Sequence, residues 1–289
     1  METSIDVIIP TYERPLLAEK LTVSLAPQLS ENDRIYIVWQ GNNKPQIRET
    51  ESIRLLRSSP PSLPRARNAG IRAGKGAFVL FLDDDVSVSP GLLDGHRKAF
   101  DDPSVGAVAG RIDDPFFDKK ETSPASFDEA TGRLVQNFCV DKSQYTISVM
   151  GANMSFRRSA LVAAGLFDEN FIHNALWEDV DVAFRLRAAG WAVWYCRSAM
   201  VRHNRDQGGG CRTDRPLAYC YHQFANTAYF AARHCQKKYR RSWFTYWKYR
   251  LEYESRRKTR WLGHDPKTVL AGMAGAMAGI LRHVLWGRK

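Results

Sequence analysis

Three adjacent carboxylates, Asp83, Asp84 and Asp85, follow directly on the apolar run Phe78-Val-Leu-Phe-Leu82. A short continuous apolar run reads as a strand buried on both faces, so the acids stand at its carboxyl end. That edge is where open α/β sheets bind ligands. Carboxylates packed this closely repel one another, and a hard divalent cation with phosphate oxygens among them turns the repulsion into attraction. The simpler alternative, an acidic cap for the helix near Pro90, needs one Asp rather than three.

A second carboxylate centre lies in Trp177-Glu-Asp-Val-Asp181. Metal-assisted group transfer needs a general base apart from the metal, and Asp179 or Glu178 fits that role. Trp177 would offer a flat wall to the apolar face of a sugar. Acids are also ordinary in a first helical turn, where the helix dipole favours them. His203 closes the strand pattern Met200-Val-Arg202 and precedes Gly208-Gly-Gly210. It is a candidate third metal ligand, and a surface histidine otherwise.

Contacts to a nucleotide are expected at the ends of the first two strands. In Pro10-Thr-Tyr-Glu-Arg-Pro15, Tyr12 can stack on a base and Thr11 can make a polar contact. The Gln40 amide offers an acceptor to an N3–H and a donor to an O4, the edge of uracil or thymine. It serves equally well as a polar loop cap. Arg65 or Arg67, opening a helix just before the acidic strand, can neutralise phosphate or read a base.

These residues must be held by strands and crossover helices. Ile5–Ile9 reads as a strand stopped by Pro10, and Leu16, Leu17, Leu21 and Leu25 give a helical spacing. Ile35–Trp39 is a strand, and residues 65–74 form a helix ended by glycine before the Phe78–Leu82 strand. This β-α-β-α-β order predicts an α/β fold with a mainly parallel nucleotide-binding half. Strands are expected over 105–112, 148–156 and 191–196, and helices over 157–164 and 179–189. Residues 113–147 show little periodicity and, with 204–220, are expected to choose the acceptor.

The chain of 289 residues is long enough for a large core. No stretch reads as the roughly 18 apolar residues of a spanning helix, and no signal peptide is evident. Five cysteines without a CxxC pair predict free thiols in a reducing, cytoplasmic setting and no zinc site. The net charge of +11 is concentrated at one end: residues 233–289 hold 15 Lys/Arg against 3 acids, and residues 1–232 hold 27 against 28. A basic end with a neutral body suits an anionic membrane surface and gives no support to nucleic acid. Residues 240–260 interleave cations with aromatics, and Met273, Met277, Ile280, Leu281, Val284 and Leu285 make a helical stripe. The two segments predict peripheral attachment at an inner membrane face, or helices packed on the catalytic domain with a solvated basic side.

Taken in order, Pro10-Thr-Tyr-Glu-Arg14, Arg65-Ala-Arg-Asn-Ala-Gly70, Asp83-Asp-Asp85, Gly151-Ala-Asn-Met-Ser-Phe-Arg157, Gly165-Leu-Phe-Asp168, Trp177-Glu-Asp-Val-Asp181 and Val201-Arg-His203 resemble a family 2 glycosyltransferase with the GT-A fold. The likeness covers about residues 4–235. It implies a catalytic domain over 1–235, with a helical tail over 236–289. It also implies an inverting transfer from a nucleotide-diphosphate sugar to a glycan or glycolipid hydroxyl, with Mg²⁺ or Mn²⁺ as cofactor. By motif position Asp85 binds the metal, with His203 completing its shell. Asp84 touches ribose or metal, Tyr12 stacks on the base, and Gln40 and Arg65 read its edge. Pro10, Thr11, Glu13, Asn68 and Asp83 join the donor-binding set. Asp179 is the general base, with Glu178 beside it. The family commonly has Asp where Gln40 stands, and uridine or thymidine donors are favoured here on the amide chemistry alone. The Gln-x-x-Arg-Trp signature of processive synthases is missing, which implies single additions. The competing reading is a nucleotide-sugar-binding protein that has kept the fold without turnover.

Overall fold

The computed structural model describes residues 3–117, 122–128, 133–173, 175–206, 215–235 and 266–286. Its contacts divide the chain into two compact units. The first holds residues 1–126, 136–168 and 179–210, and the second holds 127–135, 169–178 and 211–289.

The first unit is built on a mixed sheet. Strands β1 (Ile5–Tyr12), β2 (Arg34–Gln40), β3 (Ile53–Arg57) and β4 (Phe78–Leu82) run parallel in the order β3-β2-β1-β4. The sheet continues through β10 (Asn153–Arg157), β6 (Val105–Asp113), β11 (Ala192–His203) and β5 (Val86–Val88), with β9 (Gln144–Thr146) also on β11. Here only β6 and β11 are parallel neighbours. Helices α1 (Pro15–Leu25), α2 (Leu63–Ala73), α3 (Leu92–Ala99), α4 (Arg158–Ala163) and α5 (Glu178–Ala188) connect the strands. All five residues of β4 are buried, as a strand flanked on both edges and covered on both faces requires.

Three elements depart from the sequence pattern. β1 does not stop at Pro10 but runs on to Tyr12, pairing Pro10 with Val38. Its ladder with β4 ends at Ile8, so one edge of β1 is open where the residue lacking an N–H sits. β11 joins the two strand patterns 191–196 and 200–202 through a shift in register between Cys196 and Met200. Residues 113–147 are not a plain loop: β9 lies there, as does a two-stranded sheet of β7 (Ala125–Asp128) with β8 (Arg133–Gln136).

In the second unit α6 (Pro216–His234) packs along α7 (Pro266–Trp286). The division between units thus differs from the boundary expected at residue 235, since α6 shares a unit with α7. Asn226 of α6 clamps the backbone of Ile172, accepting its N–H at 3.0 Å and donating to its carbonyl at 2.9 Å. Trp177 is buried, stacks on Phe230 at 4.9 Å and donates its indole N–H to Thr227. It is a core residue of this unit, which corrects its expected role as a sugar wall.

Helix α7 overturns another expectation. Val269–Trp286 is long and apolar enough to cross a membrane by length and composition, with a mean hydropathy of 1.4 and 22% of the window buried. The basic, aromatic stretch 240–260 lies outside the described residues.

Candidate active site and metal centre

The acids at the end of β4 divide their work. Asp83, Asp85 and His203 each bring one ligand atom to a cluster in which all the atoms lie within 4.8 Å of one another. Asp84 turns the other way. It accepts the Thr11 hydroxyl at 2.7 Å and faces the Arg14 guanidinium at 3.1 Å. Residues 83–85 lie in the turn between β4 and β5, where Asp83 and Asp85 share the cluster and Asp84 does not. Asp83, expected among the donor-binding residues, thus joins the candidate metal ligands, and Asp84, expected to touch ribose or metal, ties this turn to the end of β1.

His203 reaches this cluster although 118 positions separate it from Asp85, because β5 pairs antiparallel with β11. That register sets His203 opposite Val86, the residue after Asp85. The Asn204 N–H donates to the Asp85 carbonyl at 2.9 Å. The imidazole Nε2 lies 3.2 Å from Asp85, and Nδ1 lies 3.0 Å from Asp114. Burial pushes the His203 pKa down, but its bonds to Asp85 and Asp114 and the charge of Asp83 raise it overall. Burial likewise lifts the Asp84 pKa to about 6 against the pull of Thr11 and Arg14. Asp83 is raised by desolvation and by Asp85, with Arg67 opposing. Two carboxylates and an imidazole gathered this closely fit a divalent cation such as Mn²⁺ or Mg²⁺.

The second centre is Asp179, in the first turn of α5. Its Oδ2 accepts the Gly151 N–H at 2.9 Å and its Oδ1 the Val180 N–H at 2.8 Å, which aim a half-buried carboxylate. Desolvation raises its pKa, while Arg67 and the two N–H donors pull it back. Glu178 is buried, so of the two acids proposed as base Asp179 is the accessible one.

Arg67 joins the centres. This guanidinium on α2 is 1% exposed, lies over the rings of Phe81 and Phe167, and places Nη2 at 3.6 Å from Asp83 and 3.5 Å from the Gly151 carbonyl. A Cβ at Gly151 would collide with that nitrogen, so the motif needs glycine there. Arg65 instead donates to the Pro60 carbonyl at 3.3 Å.

Three of the expected donor-binding residues also hold the backbone. The Gln40 amide oxygen takes the N–H of Ser62 at 2.6 Å, capping the loop into α2 with one of its two lone pairs. Glu13 accepts the Asn42 N–H at 2.8 Å and the Asn43 side-chain amide, fixing the turn after β2. Asn68 uses both ends of its amide on the backbone of Phe167, at 2.9 and 3.0 Å. Pro10 and Thr11 are buried in β1, and Tyr12 stands half-exposed opposite Gln40 at the strand ends. The sequence pattern passed over Arg14 and Asp114, while Arg67, expected to meet a phosphate or a base, instead lies between the two carboxylate centres. Arg14 lay inside the quoted motif at residues 10–15, but Asp114 stood in an unpatterned stretch with no signal.

A family model described as "Glycosyl transferase family 2" matches residues 6–163, the span that contains β1, α2, the acid triplet and β10. The chain belongs to glycosyl transferase family 2. Chondroitin synthase of Escherichia coli is 26% identical over 254 residues, covering 73% of this chain and 36% of that protein, so the chain spans about a third of its relative. Among solved structures, GalNAc-T7 with UDP, GalNAc and Mn²⁺ matches with a TM-score of 0.61 at 13% identity, over 90% of this chain and 58% of that one. A mannosyltransferase of Pyrobaculum calidifontis with GDP-Man and Mn²⁺ matches at 0.55 and 15%, over 99% and 88%. At these identities the likeness establishes the GT-A fold of this family 2 member.

Proposed function

We propose that the chain is a glycosyltransferase that moves one sugar from a nucleoside-diphosphate donor to an acceptor hydroxyl with inversion. The observation that carries this reading is the pairing of an Asp83–Asp85–His203 cluster with a separate, half-buried Asp179 across the buried Arg67. Asp83, Asp85 and His203 would hold Mg²⁺ or Mn²⁺, which supplies positive charge where the leaving diphosphate gains negative charge. Asp179, kept in place by Gly151 and Val180, accepts the proton of the acceptor hydroxyl as its oxygen bonds to the anomeric carbon and the bond to the diphosphate breaks. One displacement with no protein nucleophile gives inversion. The chondroitin synthase relative supports polysaccharide or glycolipid assembly as the setting. The Gln40 oxygen keeps a second lone pair beside its bond to Ser62, so uridine and thymidine donors remain the favoured reading. A thermal-shift panel of UDP-, dTDP- and GDP-sugars decides the base.

The test separates the two centres. Asp85→Asn should abolish Mn²⁺-dependent nucleoside-diphosphate binding. Asp179→Asn should keep that binding and lower turnover by roughly 10²–10⁴-fold. Metal-dependent binding that survives in the first variant, or near-normal turnover in the second, overturns the assignment.

A second observation bears on location. Met277, Leu281 and Leu285 of α7 are 57–66% exposed, and the region from 233 onward is strongly basic. We propose that α7 rests on the anionic inner face of a membrane, with its large side chains against the acyl chains.

A further inference from the structure

We propose that Asp114 is a positioning residue for the metal centre, locking the His203 ring so that Nε2 faces the cation. The inference rests on the Asp83–Asp85–His203 reading and adds a residue to which nothing above gives a part in the reaction. Asp114 follows β6, and its carboxylate is nearly fully buried. Its Oδ2 takes the Nδ1 of His203 at 3.0 Å and two N–H groups of Arg205 at 2.8 and 2.6 Å. Its Oδ1 accepts the Phe116 N–H at 2.9 Å. A carboxylate fixed by four contacts cannot rotate away.

The consequence for His203 is chemical. A neutral imidazole carries one N–H, and a cation takes the lone pair of the other nitrogen. An acceptor fixed at Nδ1 keeps the hydrogen there and leaves the Nε2 lone pair toward Asp85 and Asp83. Without it the ring can flip or adopt the other tautomer and present an N–H to the cation. Arg205 shapes the effect. Its guanidinium lies 4.4 Å from the Phe116 ring and shares the oxygen that His203 uses, so it anchors Asp114 and also draws on its charge. Asp114 therefore acts through geometry more than by making the imidazole more basic. Outer carboxylates of this kind typically change metal affinity about 10–100-fold.

The experiment measures Mn²⁺ binding by the loss of the free-ion electron paramagnetic resonance signal, with the full chain and no sugar donor. Asp114→Ala should weaken Mn²⁺ binding about 10–100-fold, and the isosteric Asp114→Asn should do so less. In a His203→Ala background neither change should matter by more than about twofold, because a residue that acts through His203 has nothing left to position. The Mg²⁺ complex should show the His203 hydrogen on Nδ1 in long-range ¹H–¹⁵N spectra, and Asp114→Asn should loosen that preference. If Asp114→Ala fails to fold, the Asn variant alone decides. Unchanged affinity with Asp114→Asn, or an equal loss in both backgrounds, overturns the proposal. A His203→Ala change that leaves Mn²⁺ affinity intact would instead defeat the reading of the cluster itself.

Discussion

In the first unit most of the large apolar side chains turn inward, and some of the polar groups buried with them are closely matched. Phe81, Phe156 and Phe167 pack edge to face, and the Asn68 amide and the His96 imidazole find partners in the interior. In the second unit the seam of α6 and α7 is lined on the α7 side by Gly272, Gly275, Ala276 and Gly279, all buried. The methionines and leucines of the same helix face away. Water drives large apolar groups inside, so the first unit follows the ordinary rule. A helix that keeps its small residues for the protein and its large ones for the outside is arranged as helices are in lipid.

The largest effect that sharpens this contrast is a pH effect in the first unit. His96 is fully buried, with Nδ1 at 2.8 Å from the Ser155 hydroxyl and Nε2 at 2.8 Å from the Asn153 amide oxygen. Asn153 donates its own N–H groups to the carbonyls of Arg111 and Ala199, so the amide presents oxygen to the ring. Burial lowers the His96 pKa from 6.5 to about 4. The neutral ring favours the folded state. Its contribution is complete above pH 6.5, declines as the pH falls toward 4, and is constant below that. The span corresponds to about 3 kcal/mol. Urea unfolding from pH 7 to 4, followed by a probe in the first unit, should show this decline. His96→Gln should flatten it. Identical slopes in both proteins would mean that other groups set the acid response.

The second effect breaks the seam of α6 and α7. A Cβ at Gly275 would collide with the Tyr221 carbonyl, one at Gly279 with the Ala225 carbonyl, and one at Gly272 would come within 2.9 Å of the Phe224 ring. Gly275→Val should therefore destabilise the second unit by about 1–3 kcal/mol. Met277→Ala, on the opposite face, should fall within about 0.5 kcal/mol. That is the reverse of the order expected for an ordinary soluble helix. Hydrogen exchange along α6 distinguishes the outcomes. Faster exchange in the Met277 variant than in the Gly275 variant would place the seam on the other face.

How far these features were legible follows the range of the interactions. The strand ending at Asp83 could be read because burial on both faces leaves a mark within nine residues, Phe78 to Val86. The family order of motifs placed Asp85, Asp179 and His203. The division of labour within Asp83–Asp85 could not be read, since identical residues carry no sign of direction. The backbone contacts of Gln40, Glu13 and Asn68 were illegible for another reason: a loop or a helix cap asks for the same donors and acceptors as a nucleotide does. Asp114 left no trace because its partner is 89 positions away and the pairing depends on the register of β6 with β11, which sets Asp113 opposite Arg202. In α7 the stripe was visible, but hydrophobicity alone does not say which face meets protein. The glycines at 272, 275 and 279 recur at helical spacing, and they were the signal that could have decided it.

The smallest effect tests what the outer face of α7 meets. If it meets lipid, removing one large side chain should cost part of the transfer of that side chain out of water, about 1 kcal/mol or roughly fivefold in partitioning. Leu281→Ala and Met277→Ala, each in the full chain, should then lower co-sedimentation with anionic liposomes by about that factor while leaving Mn²⁺ binding at the Asp83–Asp85–His203 cluster unchanged. Raising the salt should weaken binding of the parent and both variants alike, because the basic residues add a screened attraction that does not depend on the apolar face. Shortening the chain at His234 would be the poorer experiment, since α6 would lose the partner against which Phe224 and Cys220 are buried. If the parent chain ignores anionic liposomes at low salt, the face is not a lipid surface. Equal binding by parent and variants would assign the attachment to charge alone, and α7 would then be a helix whose large side chains await a protein.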